Sequence, residues 1–219
     1  MSTVSHVSQA ARQQLVASAA RLSQLGLSPG SSGNVSVREG DAIVMSPTGS
    51  DLAALDVDHL SVLDFNGTLL EGPKASKEYP LHRAMYRRRP EHMAVVHLHS
   101  SHASAVSCAP PWSPHSAVPP LTPYFVMRVG QTPLIQYADP GDLAQAELVE
   151  ALAFPFRAAL LQNHGLITAG TTMQSALDSA VELEEACKLL LLLGSQPPRL
   201  LTAEEAARVA AKSSSPWSA

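Results

Sequence analysis

The chain has 219 residues, enough for one domain with a sizeable core, and its formal net charge is −4. That balance excludes a nucleic-acid footprint: the one basic run, Arg87-Arg88-Arg89, closes a predicted helix, where solvated cations suit the macrodipole. The apolar run 189–193 is too short to span a bilayer, the N-terminus lacks a signal-peptide pattern, and Cys108 and Cys187 read as core thiols of a reduced protein, so a cytoplasmic location without membrane contact is expected.

Apolar side chains at helical spacing predict a first helix over 7–25, stopped by Gly26. A loop of small residues, 28–34, follows. Segments 35–37 and 42–45 flank Glu39-Gly40-Asp41 as a hairpin, and 60–63 and 68–70 flank Asn66-Gly67 as another. A helix is predicted over 76–89, with Ser76 or a neighbour as N-cap, Pro80 in the first turn and Pro90 as stop. Residues 93–99 read as a strand, 100–108 as a short helix and 109–123 as an irregular proline-rich segment. A strand over 134–137, a helix over 142–153, and strands over 157–162 and 166–169 come next. Thr171 or Thr172 caps a long helix to about 193, and Thr202-Ala203-Glu204-Glu205 opens a last one with a capping-box pattern. The interleaving predicts an α/β or α+β fold with a mixed sheet covered by helices, in a single domain spanning 1–219 whose ends, 1–5 and 213–219, are expected to be disordered.

His97 and His99 end one predicted strand, and residues two apart on a strand share a face. His164 closes a second strand. Singly, each histidine reads as a satisfied, partly buried side chain. As a set they supply three nitrogens and an open fourth position, the arrangement of a catalytic rather than a structural zinc. Glu78, upstream, reads either as a solvated carboxylate in a helix first turn or as a proton carrier beside the metal. His59, His82, His92 and His115 lack such context and read as non-ligands.

Gly33-Asn34, Ser46-Pro47-Thr48-Gly49 and Ser76 each look like an ordinary turn or cap. Together they place small polar groups at element ends, which can hold a phosphate without a P-loop. The chain has no Walker A motif and no dinucleotide fingerprint.

These motifs, with Ser76-x-Glu78, His97-x-His99 and Asn163-His164-Gly165, stand in the order seen in the class II aldolase/adducin family, which the chain resembles over about 7–210. The resemblance implies a three-layer α/β/α fold with a central mixed, largely antiparallel sheet. It implies one divalent metal per subunit, Zn2+, on His97, His99 and His164, with Glu78 as catalytic acid/base that can also touch the metal. Gly33, Asn34, Thr48, Gly49 and Ser76 would bind the substrate phosphate. Tyr124 stands where family aldolases carry a catalytic tyrosine that reaches a neighbouring subunit's site, so that protonated Glu78 or Tyr124 would deliver a proton to the carbanion carbon, and the family's homotetramers imply an oligomer. Lys77, His102 and Arg128 are candidate substrate contacts, each with a surface role as the plainer alternative.

Segments 74–78, 97–102 and 121–130 are most similar to the 3-oxo-tetronate 4-phosphate decarboxylase branch of that family. The implied reaction turns a phosphorylated sugar acid into dihydroxyacetone phosphate through a metal-stabilised enediolate. Aldolases often show Ser-Ser-Glu where this chain has Ser76-Lys77-Glu78, and the epimerases tend to carry aspartate at the position of Glu78. A sugar-phosphate aldolase of the fuculose phosphate type is the alternative within the class. A non-catalytic, adducin-like interaction module is the alternative outside it.

Overall fold

Alternation of apolar residues along short strands builds one eight-stranded sheet with two buried faces. The computed structural model describes residues 7–218. The strands are β1 (Asn34–Glu39), β2 (Ala42–Met45), β3 (Ser61–Asp64), β4 (Leu69–Glu71), β5 (Ala94–Leu98), β6 (Leu134–Ile135), β7 (Ala158–Leu161) and β8 (Gly165–Gly170). The helices are α1 (Gln9–Gln24), α2 (Tyr79–Arg88), α3 (Ser101–Ser107), α4 (Pro123–Arg128), α5 (Leu143–Ala151), α6 (Met173–Leu193) and α7 (Ala203–Ser213). The sheet order is β4-β3-β2-β1-β5-β8-β7-β6, and only β6 and β7 pair in parallel. Val35, Val44, Val96 and Leu166 face α1, α3, α4, α6 and α7, whereas Ile43, Val95, Ala159 and Ile167 face α2 and α5. This is a three-layer α/β/α architecture with a mixed, largely antiparallel sheet.

Local chemistry sets most boundaries. Asp142 caps α5, and Thr172 and Thr202 open α6 and α7 with reciprocal capping boxes through Ser175 and Glu205. The expected N-cap of α2 differs: Glu78 occupies that position, and Ser76 lies two residues earlier, its hydroxyl accepting the Glu78 N–H at 3.3 Å. Helix α4 was absent from the sequence reading. Thr122 caps it and Pro123 sits in its first turn, but the proline cluster before it masks the signal.

Three further expectations are corrected. Arg88 is not a solvated helix end: its guanidinium donates to the carbonyls of Val149, Glu150, Leu152 and Phe154, closing the C-terminus of α5, and lies 4.2 Å over the Phe156 ring. Cys108 is exposed at the end of α3, whereas Cys187 is buried; both are free thiols. Residues 213–218 are ordered against α4 rather than disordered. Ser214 turns the chain in a left-handed conformation, Pro216 O accepts from Gln131 N–H at 2.8 Å, and Trp217 packs edge-on to Phe125. The expected disorder at 1–5, and at 219, lies outside the described residues. Among those described, no helix is long and apolar enough to cross a membrane.

Candidate metal centre

The register of three strands brings the histidines together. Asn34 pairs with His97 across β1 and β5, and His97 pairs with Ile167 across β5 and β8. His97 follows Val95 onto the sheet face that meets α2. His99 leaves the end of β5 and precedes α3. His164 ends a three-residue hairpin loop between β7 and β8, in which Asn163 adopts φ +56, a left-handed conformation that asparagine tolerates. The loop is tied down by Asn163 N–H to Ser107 O (3.2 Å), His164 N–H to Ser107 Oγ (3.3 Å) and Ser104 Oγ–H to His164 O (3.0 Å).

The donor set fits a cation. His97 Nδ1–H donates to Leu166 O at 2.8 Å, which leaves a lone pair on His97 Nε2. His99 Nε2 lies 3.0 Å from His97 Nε2 and 2.9 Å from His164 Nε2. A single shared proton cannot give both contacts good linear hydrogen bonds. Metal–nitrogen bonds of about 2.0–2.1 Å would let one ion reach three nitrogens that lie roughly 3 Å apart. Glu78 closes the set: Oε2 lies 3.4 Å from His97 Nε2, and Oε1 lies 3.3 Å from His164 Nε2. One ligand atom from each of the four residues falls within 4.8 Å of the others. Burial, then the proximity of the His97 ring, lowers His99 and His164 to about 4, so both imidazoles are neutral donors at pH 7.

Glu78 is only 5% exposed. Burial pushes its carboxyl up, but His97, the Asn34 hydrogen bond, His164 and His99 together outweigh that and hold it low, as a carboxylate. Asn34 Nδ2–H donates to Glu78 Oε2 at 2.7 Å, while Glu78 Oε1 is buried without a hydrogen-bond partner. That orphaned oxygen points to a missing ligand. Glu184, which sequence reasoning missed, organises the segment after His99. Its carboxylate accepts Ser100 Oγ–H (2.7 Å), His102 N–H (3.0 Å), His102 Nδ1–H (2.8 Å) and Ala103 N–H (2.8 Å). The available signal was a glutamate among the mostly apolar residues that α6 turns inward.

The small polar motifs also meet. β1 and β2 are antiparallel, so Gly33-Asn34 and Ser46–Gly49 adjoin, with Ser46 Oγ accepting Val35 N–H at 3.1 Å. Pro47 bridges to Ala75 in antiparallel fashion, and Thr48 N–H donates to Lys74 O at 3.0 Å, which runs residues 46–48 alongside 74–76. Gly33 has φ +82, and a Cβ there would lie 2.8 Å from His97 O, so glycine is required where the loop crosses β5. Lys77 is exposed, yet its charge reaches His99 and His164. His102 is held by Glu184, one turn from His99. Tyr124 and Arg128 are not brought to the histidines within one chain. Tyr124 is 58% exposed on α4. Arg128 stacks over it, faces Glu182 at 3.8 Å and lines a cavity of about 440 Å³ near Gly170, which pairs with Ala94 at the far end of β5.

An α/β/α sandwich that gathers three imidazoles at its strand ends and one carboxylate at a helix N-cap makes a candidate metal centre of the class II aldolase type. Residues 13–191 match the Class II Aldolase and Adducin N-terminal domain, and the chain belongs to this family. It is 45% identical over 181 residues to the 3-oxo-tetronate 4-phosphate decarboxylase of Haemophilus influenzae, covering 82% of this chain and 86% of that one. It is 34% identical over 204 residues to the L-fuculose phosphate aldolase of Escherichia coli, covering 91% and 92%. The crystal structure of YgbL from Klebsiella pneumoniae superposes with a TM-score of 0.88 at 37% identity, over 93% of this chain and all of the other.

Proposed function

We propose that this protein is a divalent-metal-dependent carbon–carbon lyase that decarboxylates 3-oxo-tetronate 4-phosphate to dihydroxyacetone phosphate. The observation that carries the reading is the open set of three Nε2 atoms with the unpartnered Glu78 Oε1 beside it, in a chain 45% identical to a decarboxylase of that substrate. His97, His99 and His164 hold the ion, and neutral imidazoles suit zinc. A bound divalent ion supplies Lewis acidity that draws electron density onto the ketone oxygen as the carbon–carbon bond breaks.

The chain's own groups do the rest. Gly33, Asn34, Thr48, Gly49 and Ser76 bind the phosphate through amides and hydroxyls, and Lys77 and His102 supply positive charge or hydrogen bonds to the substrate carboxylate. Loss of carbon dioxide leaves the bonding pair delocalised between the adjacent carbon and the ketone. Either Glu78 in its protonated form, recharged by a proton from solvent, or Tyr124 gives a proton to that carbon, so the net reaction consumes one proton. The exposed apolar side chains Tyr124, Met127, Leu189 and Leu192 support a homo-oligomer, read as a tetramer, in which Tyr124 and Arg128 serve a neighbouring site. The free thiols support a cytoplasmic location.

The test is a product assay of zinc-loaded protein with 3-oxo-tetronate 4-phosphate. Carbon dioxide and dihydroxyacetone phosphate should form in equal amounts, and chelation should abolish both. Retro-aldol release of an aldehyde from a ketose 1-phosphate, with no carbon dioxide from the oxo acid, would move the protein to the aldolases.

A further inference from the structure

On α2 and its N-cap, Glu78, His82 and Tyr86 recur every four residues, so one face carries all three toward β1. On β1, Asn34 and Ser36 are two apart and share the sheet face that meets that helix. The five side chains form one unbranched buried chain. Tyr86 OH lies 2.7 Å from Ser36 Oγ, Ser36 Oγ lies 2.7 Å from His82 Nδ1, His82 Nε2 contacts Asn34 Oδ1, and Asn34 Nδ2 lies 2.7 Å from Glu78 Oε2. Ser36, His82 and Tyr86 have no solvent exposure.

The carboxylate end fixes the direction of every bond. Glu78 Oε2 can only accept, so Asn34 presents Nδ2–H to it and Oδ1 to His82. His82 must then carry its proton on Nε2, which leaves Nδ1 to accept from Ser36 Oγ–H, and Ser36 Oγ to accept from Tyr86 OH. The far end stops at a buried tyrosine beside Phe65, with no outlet to water. A carboxamide in the middle is a poor proton carrier. The chain therefore orients groups rather than conducting protons.

We propose that His82 is a positioning residue: its Nε2–H holds the Asn34 amide in the one orientation that donates to Glu78 Oε2, and so keeps Glu78 Oε1 as the free oxygen of the site. A flipped amide would set two acceptors against each other. This inference rests on reading Glu78 as the proton carrier of the proposed function.

The test combines ¹⁵N-histidine NMR of the zinc-loaded protein with kinetics of His82→Leu, His82→Gln and Ser36→Ala. In the parent, His82 should show the Nε2–H tautomer alone, and Ser36→Ala should keep it, because the Glu78 end sets the direction of the chain. His82→Leu should lower kcat by about 10- to 100-fold with KM and metal content unchanged. His82→Gln should recover most of the loss, because its amide N–H can replace Nε2–H. An Nδ1–H tautomer in the parent, or parental kcat in His82→Leu, overturns the proposal; should the leucine variant not fold, an Nδ1–H tautomer in Ser36→Ala with parental kcat overturns it. Absence of turnover in the parent overturns only the proposed reaction. In that case the tautomer, and a shift of the Asn34 side-chain amide resonances in His82→Leu, still decide the positioning chain.

Discussion

Asn34 and His97 lie opposite each other across the β1–β5 ladder, on the sheet face covered by α2. One register thus fixes both the residue that tethers Glu78 and a histidine of the metal set. A slip of one residue between the strands would turn one of the two side chains into the opposite core and part them. The site depends on backbone pairing as much as on its side chains.

Gly165 tests that dependence. A Cβ at this position would sit 2.2 Å from Leu98 O, which cannot yield without moving β8 away from β5. Gly165→Ala should weaken metal binding at least tenfold and lower stability by about 1–3 kcal/mol. Metal titration and urea denaturation measure the two effects. Parental metal affinity would show that the strand contact does not set the His164 position.

Glu184 should matter for stability although it touches no proposed ligand. Its four accepted hydrogen bonds hold the first turn of α3, immediately after His99. Glu184→Ala leaves those donors without their carboxylate and should cost about 2–4 kcal/mol in chemical denaturation. A loss below about 1 kcal/mol would mean that water replaces the carboxylate freely.

The pH dependence of the metal-free protein follows from His99 and His164. Burial, with the proximity of the His97 ring, puts both at about 4 in the folded chain, against about 6.5 when unfolded. Between those values the unfolded chain binds more protons, so stability falls as pH drops through that window. Burial lowers His82 further, to about 3, and extends the loss below pH 4. Thermal unfolding of chelated protein should show Tm falling steadily from pH 6.5 to 4. A flat profile would place protonated, solvated imidazoles at the centre.

The meeting of Glu78, His97, His99 and His164 was legible because metal chemistry limits the residue types and strand periodicity puts His97 at the end of β5 that leads to His99. Turn chemistry marked most element ends, as at Asp142, Thr172 and Thr202. His82 was read as a non-ligand, and it makes no direct contact with the other histidines' Nε2 atoms; its role depends on Asn34 and Ser36 facing α2, a tertiary register that no local pattern encodes. Glu184 was missed for the same reason, since its partners are more than eighty residues away in the chain. The tail over 213–218 lacked periodicity, yet Gln131 and Phe125 give it partners. Arg88 looked like part of a solvated run because the α5 carbonyls it closes lie some sixty residues downstream.

The most direct test of the account is metal stoichiometry by elemental mass spectrometry, in the parent and in His164→Ala. The parent should carry one divalent ion per chain, removable by chelation together with turnover. His164→Ala should retain less than about a tenth of that metal and lose on the order of 10³-fold in activity. A His164→Ala protein that keeps a full complement of metal and parental turnover would show that the three imidazoles do not share one ion.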